Sequence, residues 1–318
     1  MKPIVAITGG NGFIGRVLAD KLLKEGYQVR ILTRRVPREH PANPAVYFVQ
    51  VDYRNVDSLQ QALAGCEGVF NLAGAIFGFS YQDFEKGNVQ TVQNIVKAAN
   101  RTRGLKTFVH VSSLAASGYA KSIKHPRLEK YAAGPVSDYG RTKLLGEKAT
   151  HRLKPSIKRT IIRPPIVYGK NDSGVSKIAV WVKRGLMVNT SGKGYFSFVY
   201  VEDLVEALWQ AYCRPETDRQ IYFVAEPDMY TWDYFITQMA QAMHVRKPFM
   251  PKAPVWLMRL AAWGYEVCAK LTGVVPALNY DKVAEAVIPG HWVCSNAKWV
   301  KLTGQKFTPL KKGLEQSF

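Results

Sequence analysis

Over roughly the first 165 residues, compact apolar runs alternate with stretches whose apolar positions recur every three or four residues. "IVAIT" (4–8) is a continuous apolar strand. "FIGRVLADKLLKEG" (13–26) sets Ile14, Val17, Leu18 and Leu22 at helical spacing, and Gly26 stands where a helix stops. "YQVRILT", "VYFVQVD", "GVFNLAG" and "KTFVHVSS" read as further strands, with helical patterns in "VDSLQQALAG" and "FEKGNVQTVQNIVKAANRT" between them. "RTIIRPP" closes the series. Strands alternating with helices predict an α/β fold, a doubly wound parallel sheet of the Rossmann type. Such sheets bind ligands beyond the carboxyl ends of their strands.

After Tyr168 the rhythm loosens. "FSFVYVEDLVEALWQAY" and "QIYFVAE" read as a return to the sheet, and the stretch from about 227 to 318 is mostly helical and rich in Trp and Pro. The expected division is a dinucleotide-binding domain over 1–168 with returning segments at about 195–226, and a smaller cap from about 169–194 and 227–318. Within the cap, "VWLMRLAAWGYEVCAKL" (255–271) places Arg259, Glu266 and Lys270 on one helical stripe, with Trp256 and Trp263 near its borders. It is too interrupted to span a membrane. A cap helix with its apolar face over the substrate is the expectation; a helix lying on a membrane surface is the alternative.

The first strand runs into "TGGNGFIG" (8–15), where Gly9, Gly12 and Gly15 are three apart. Glycines there permit a tight turn, let backbone N–H groups approach a pyrophosphate, and let helix and strand pack closely. The helix that follows aims its N-terminus at the phosphates. Between a strand and an amphipathic helix, this turn predicts a dinucleotide site formed by Thr8, Gly9, Gly12, Phe13, Ile14 and Gly15. The end of the second strand selects the dinucleotide. Thr33 stands where an acid would bond a ribose hydroxyl, and Arg34 and Arg35 follow. Guanidinium groups suit a 2′-phosphate, so NADP(H) is expected over NAD(H). Asp52, followed by Tyr53 after the third strand, is placed for the adenine edge.

Composition narrows the partners. The 318 residues are 47% hydrophobic, enough for a large core, and carry a formal charge of +20. The basic residues are spread rather than blocked, with no nucleic-acid-binding signature, so nucleic acid is not an expected partner. Cys66, Cys213, Cys268 and Cys294 form no C-x-x-C pair, and the six histidines form no metal-ligand cluster. With no signal-peptide pattern at "MKPIVAITGG", the expected compartment is the cytoplasm and no metal is expected.

"DYGRTK" (138–143) puts Tyr139 and Lys143 one helical turn apart. The pair is either an exposed polar face or a lysine set to lower a phenol's pKa. With "TGGNGFIG", "NLAG", "VSS", "YGRTK" and "RPPIVYG" in order, the chain resembles the extended branch of the short-chain dehydrogenase/reductase superfamily. That branch includes nucleotide-sugar epimerases, dihydroflavonol reductases and 3β-hydroxysteroid dehydrogenases. The resemblance implies catalytic roles for Ser113 (with Ser112 as its neighbour), Tyr139 and Lys143, and a supporting role for Asn88. It implies cofactor contacts from Leu72, Ala73, Gly74, Tyr139, Lys143, Pro164 and Ile166. It further implies a carbonyl or secondary-alcohol substrate, small or lipophilic, and a homodimer as in many relatives. "RPPIVYG" is closer to the reductase style than to the epimerase style. An epimerase or dehydratase on the same fold is the first rival; a cofactor-binding scaffold without catalysis is the second. Arg163 is expected to be structural.

Overall fold

A computed structural model describes residues 2–37, 43–78, 80–187, 194–251, 254, 256, 260, 263–264, 280–286 and 288–318. Its centre is a seven-stranded parallel sheet in the order β3-β2-β1-β4-β5-β6-β9. The strands are β1 (Ile4–Thr8), β2 (Gln28–Thr33), β3 (Val46–Gln50), β4 (Cys66–Asn71), β5 (Thr107–Val111), β6 (Lys158–Arg163) and β9 (Gln220–Phe223). The order reverses between β1 and β4, which opens a crevice at the carboxyl ends of those two strands.

Helices cover both faces. On one side α1 (Phe13–Lys24) and α8 (Val201–Cys213) pack over β1, β4 and β5, joining a core of Val5, Ile7, Leu18, Leu22, Phe70, Leu204 and Leu208. On the other, α2 (Val56–Leu63), α4 (Thr91–Arg101) and α6 (Asp138–Thr150) meet Ala6, Leu59, Val69, Ile95 and Phe108. Burying each of the larger side chains stabilises the fold by about 1.5–3 kcal/mol. The helix boundaries follow local chemistry. Asn55 caps α2 by accepting from the Asp57 and Ser58 N–H groups, and Gly26 leaves α1 at φ +86°.

The expected helix over 84–102 is present but interrupted. A short α3 (Tyr81–Glu85) passes into a π-helical turn at Lys86–Gln90 before α4 begins. That turn carries Asn88. Short α5 (Leu114–Ser117) follows β5.

The expected return of 195–226 to the main sheet divides. α8 and β9 rejoin it, whereas β8 (Tyr195–Tyr200) lies in a separate three-stranded sheet with β7 (Ile166–Tyr168) and β10 (Met229–Thr231). The cause lies upstream. Pro164 and Pro165 follow β6 without backbone N–H groups, so the parallel ladder ends there and β7 leaves the sheet. β8 then pairs parallel to β7 and antiparallel to β10.

Among the described residues beyond 227, helices occur at α9 (Trp232–Ala242), Tyr280–Ala286, Ala297–Thr303 and Leu310–Glu315. Between the second and third of these helices the backbone forms isolated bridges at His291, Trp292 and Cys294. Most of the 255–271 stretch, Cys268 included, lies outside the described residues. No helix among the described residues is long and apolar enough to cross a membrane.

Candidate active site

The glycine turn sits at the crevice. Gly9 adopts φ +71°, a region open to glycine, and the Gly12 N–H donates to its carbonyl at 3.0 Å. A Cβ on Gly9 would lie 3.0 Å from the Ala73 nitrogen, and one on Gly15 would lie 2.5 Å from Gly10 Cα. The backbone is therefore packed to the limit that a side chain would break, which leaves a cradle suited to a pyrophosphate. Phe13 and Ile14 form the first turn of α1.

The end of β2 is tied to this turn. Asn11 Nδ2 donates to Thr33 Oγ1 at 2.9 Å, and Thr33 Oγ1 donates to the Arg35 carbonyl at 2.9 Å. Arg34 and Arg35 are exposed beside it. Tyr53 is brought here as well: its hydroxyl donates to the Leu32 carbonyl at 2.8 Å, and burial pushes its pKa up. Asp52 lies on the surface, its carboxylate bonded by Arg54 at 3.1 Å and its pKa lowered by that bond. The residues at this end could hold a dinucleotide's adenosine half, with the exposed Arg34 and Arg35 beside it.

A chain of buried polar groups crosses the strand ends beneath the turn. The Ala73 N–H donates to Thr8 Oγ1 at 3.1 Å, and Thr8 Oγ1 donates to Asn71 Oδ1 at 2.6 Å. Asn71 Nδ2 in turn donates to His110 Nδ1 at 3.0 Å. The ring proton therefore sits on Nε2, which has no partner among the described residues. Burial, and then the Lys143 cation, lower the pKa of His110 well below its ordinary range, so it is neutral.

Lys143 projects from α6 into this interior, and its ammonium donates to the Val111 carbonyl at the end of β5 at 2.6 Å. Burial lowers its pKa to about 8, against the raising pull of Glu147. A Cβ on Gly74 would lie 3.6 Å from Lys143 Nζ and 2.8 Å from Asn88 Oδ1. Leu72, Ala73 and Gly74 thus run between the glycine turn and the lysine. Asn88 ties the Ala75 end of that segment to α6. Its Oδ1 accepts from the Ala75 N–H at 2.8 Å, and its Nδ2 donates to the Ala75 carbonyl at 3.0 Å and to Thr142 Oγ1 at 3.1 Å. The π-helical turn is what points Asn88 at both.

The two serines divide. Ser112 donates to Glu147 in a buried contact, and Glu147 also receives both arms of Arg163, at 2.8 and 2.6 Å. Ser113 is less buried and caps α5, accepting from the Ala115 N–H at 3.1 Å. Its hydroxyl proton is left for another acceptor. Pro164 is buried, its carbonyl accepting from Leu114, and half-buried Ile166 begins β7.

Tyr139 stands in the first turn of α6, half-buried, with its ring 6.2 Å from that of Phe84. The C-terminal part of the chain holds this turn. Asp281 accepts from the Asp138 N–H at 2.6 Å and the Tyr139 N–H at 3.3 Å, and Ser137 donates to Glu285 at 2.6 Å. Carboxylates are favourable at a helix N-terminus.

The fold thus brings Thr8, Gly9, Leu72, Ala73, Gly74, Asn88 and Lys143 together, with Ser113 and Tyr139 on the adjoining α5 and α6. Asp52 is exposed at the surface, paired with Arg54. Asn11, His110, Glu147, Asp281 and Glu285 were not among the expected residues. Glu147 had a signal: with Tyr139 and Lys143 it continues a spacing of four along one helical face. Asp281 and Glu285 had none, because their contacts are more than 140 positions away in sequence.

Residues 5–225 match the model of the NAD dependent epimerase/dehydratase family. The chain is 29% identical over 310 residues to the ceramide reductase of Caulobacter vibrioides, across 96% of this chain and 90% of that one. It is 33% identical over 207 residues to protein y4nG of Sinorhizobium fredii, across 63% of this chain and 51% of that protein, so the match spans about half of y4nG. The structure of MoeE5 in complex with UDP-glucuronic acid and NAD superposes with a TM-score of 0.78 at 19% identity, covering 98% of this chain and 97% of that one. At that identity the likeness carries the fold alone.

Proposed function

Because this chain belongs to the NAD dependent epimerase/dehydratase family, within the extended short-chain dehydrogenase/reductases, we propose that it is an NADP(H)-dependent reductase that interconverts a carbonyl and a secondary alcohol on a lipophilic substrate. The observation that carries the reading is the buried Lys143 ammonium, held on the Val111 carbonyl one helical turn from Tyr139 and next to Ser112–Ser113.

A nicotinamide dinucleotide held in this crevice would supply or take up the hydride. The rest falls to side chains of this chain. Tyr139 gives its phenol proton to the carbonyl oxygen of the substrate, and Ser113 Oγ donates a hydrogen bond to the same oxygen. Lys143, a cation below its lowered pKa of about 8, stabilises the phenolate left behind. Asn88 fixes the strand-end segment against α6, and Arg34 and Arg35 select the phosphorylated cofactor. Residues 169–194 and 227–318 form the substrate side. The lipophilic assignment draws on the relative named as a ceramide reductase, which aligns with nearly the whole chain.

The test is NADPH oxidation by the purified protein across short aldehydes and ketones, long-chain ketones and sugar nucleotides, with NADH as control. Turnover of a long-chain ketone, faster with NADPH, supports the reading. Isomerisation of a sugar nucleotide without net NADPH consumption would replace it with the epimerase reading.

A further inference from the structure

Two stretches of the C-terminal half contain no acidic residue. Residues 174–201 carry Lys177, Lys183, Arg184 and Lys193, and residues 234–265 carry Arg246, Lys247, Lys252 and Arg259, yet neither holds one of the chain's 24 Asp and Glu residues. The two stretches meet in space. The Met187 N–H donates to the Phe249 carbonyl at 3.0 Å, and the Phe249 N–H donates to the Gly185 carbonyl at 2.9 Å. The segment after α7 (Ser173–Lys183) therefore runs beside the segment after α9.

Their shared surface is apolar where water should be. Val175, Ala179 and Val182 of α7 are buried in the core, as an amphipathic helix requires. The opposite side of α7 should then be polar, but it presents Val180 and Trp181, joined by Leu186 and Phe249. Trp181 is 51% exposed and Phe249 72%. Lys177, Lys183, Arg184, Arg246 and Lys247 are exposed on the same two segments. The Arg184 guanidinium lies 5.1 Å from the centre of the Trp181 ring, with its charge still at the surface. Lys247 pairs with Asp233 at 2.7 Å, the acid that bounds the second stretch. Further along that stretch, Trp256, Leu260 and Trp263 are also exposed.

We propose that the α7–Phe249 face docks on an anionic lipid bilayer. Aromatic and aliphatic side chains enter the interface, and the lysines and arginines meet the headgroups. Charge complementarity chooses this occupant: a face drawn from stretches with no carboxylate suits a uniformly negative plane, where a protein partner would present both signs. Val180, Trp181, Leu186 and Phe249 supply the insertion, and Lys177, Lys183, Arg184 and Arg246 the attraction. The inference deepens the lipophilic-substrate reading, since a lipid ketone would be met in the bilayer, but its test needs no turnover.

The experiment is co-sedimentation of the full chain with vesicles of phosphatidylcholine alone and of phosphatidylcholine with phosphatidylglycerol, at low and high salt. Light scattering reports the mass of the protein in parallel. The chain is expected to bind the anionic vesicles, to release from them in high salt, and to leave neutral vesicles largely alone. The double variant Trp181→Ser, Phe249→Ser should keep its circular dichroism and lose binding at least about tenfold. Lys183→Glu with Arg184→Glu should lose it as well. Failure of the wild type to bind anionic vesicles overturns the proposal, as does a double variant that binds equally well. So does a wild-type dimer that the double variant converts to monomer, which would make the face a contact between copies. If vesicles bind and no ketone is reduced, the docking face stands and the reductase assignment falls.

Discussion

Lys143 donates to the backbone carbonyl of Val111 at 2.6 Å, tying the helix that carries Tyr139 to the strand end that precedes Ser113. A buried cation with a carbonyl partner is poorly solvated, and its pKa falls to about 8 from burial. The pH dependence follows from the sign. The folded pKa lies below that of an unfolded lysine, so the unfolded chain binds the extra proton between about pH 8 and about pH 10.4. Stability from this group therefore rises with pH across that window. Relative to Lys143→Met, the wild type should gain about 2 kcal/mol between about pH 7 and about pH 9.5. Urea denaturation of both proteins at the two pH values checks this, and a constant difference would contradict the burial argument.

Glu147 and Arg163 form a nearly dry, two-armed ion pair. Removing either partner leaves a buried charge, so Arg163→Met and Glu147→Leu should each destabilise the fold by about 3–5 kcal/mol. The double variant should lose clearly less than the sum of the two. Additive losses in chemical denaturation would mean that the pair is not coupled.

Asp281 reaches the N-terminus of α6 from the far end of the chain. Asp281→Ala should cost about 1 kcal/mol of stability. Because the bond holds the turn carrying Tyr139, kcat should also fall while the KM for NADPH stays constant. Asp281→Asn, which keeps an acceptor oxygen, should recover part of the loss. Wild-type kcat in the alanine variant would separate this contact from catalysis.

Arg34 lies exposed past the end of β2, beside the Thr33 side chain that Asn11 anchors. Arg34→Ala should weaken NADPH binding at least about tenfold, the loss of a charge-assisted contact, and change NADH binding by less than about twofold. Fluorescence titration of both cofactors decides, and equal losses would remove the 2′-phosphate assignment.

Much of this was legible in the chain. The glycine turn, the alternation of strands and helices and the spacing of Tyr139 and Lys143 are local patterns, and each appears in the structure where the pattern put it. The pairing of β8 was not legible. Alternating apolar positions identify a strand, but they do not choose its neighbour, and β8 pairs with β7 and β10 outside the main sheet. The π-helical turn at Asn88 was hidden for a similar reason, since one extra residue in a turn hardly disturbs a helical pattern. Ser112 and Ser113 are adjacent and chemically alike. They part only through Glu147, a long-range contact for one and absent from the bonds of the other. Asp281 and Glu285 reach α6 from the opposite end of the sequence, so no local pattern could assign them to that helix.

The central claim is that Tyr139 passes a proton to a substrate carbonyl. Its most direct test is Tyr139→Phe, which removes one oxygen and leaves the ring beside Phe84. The account predicts that NADPH oxidation with the best ketone falls at least about a hundredfold, the usual worth of a positioned acid, while NADPH affinity stays within about threefold. A variant that oxidises NADPH at the wild-type rate would contradict it.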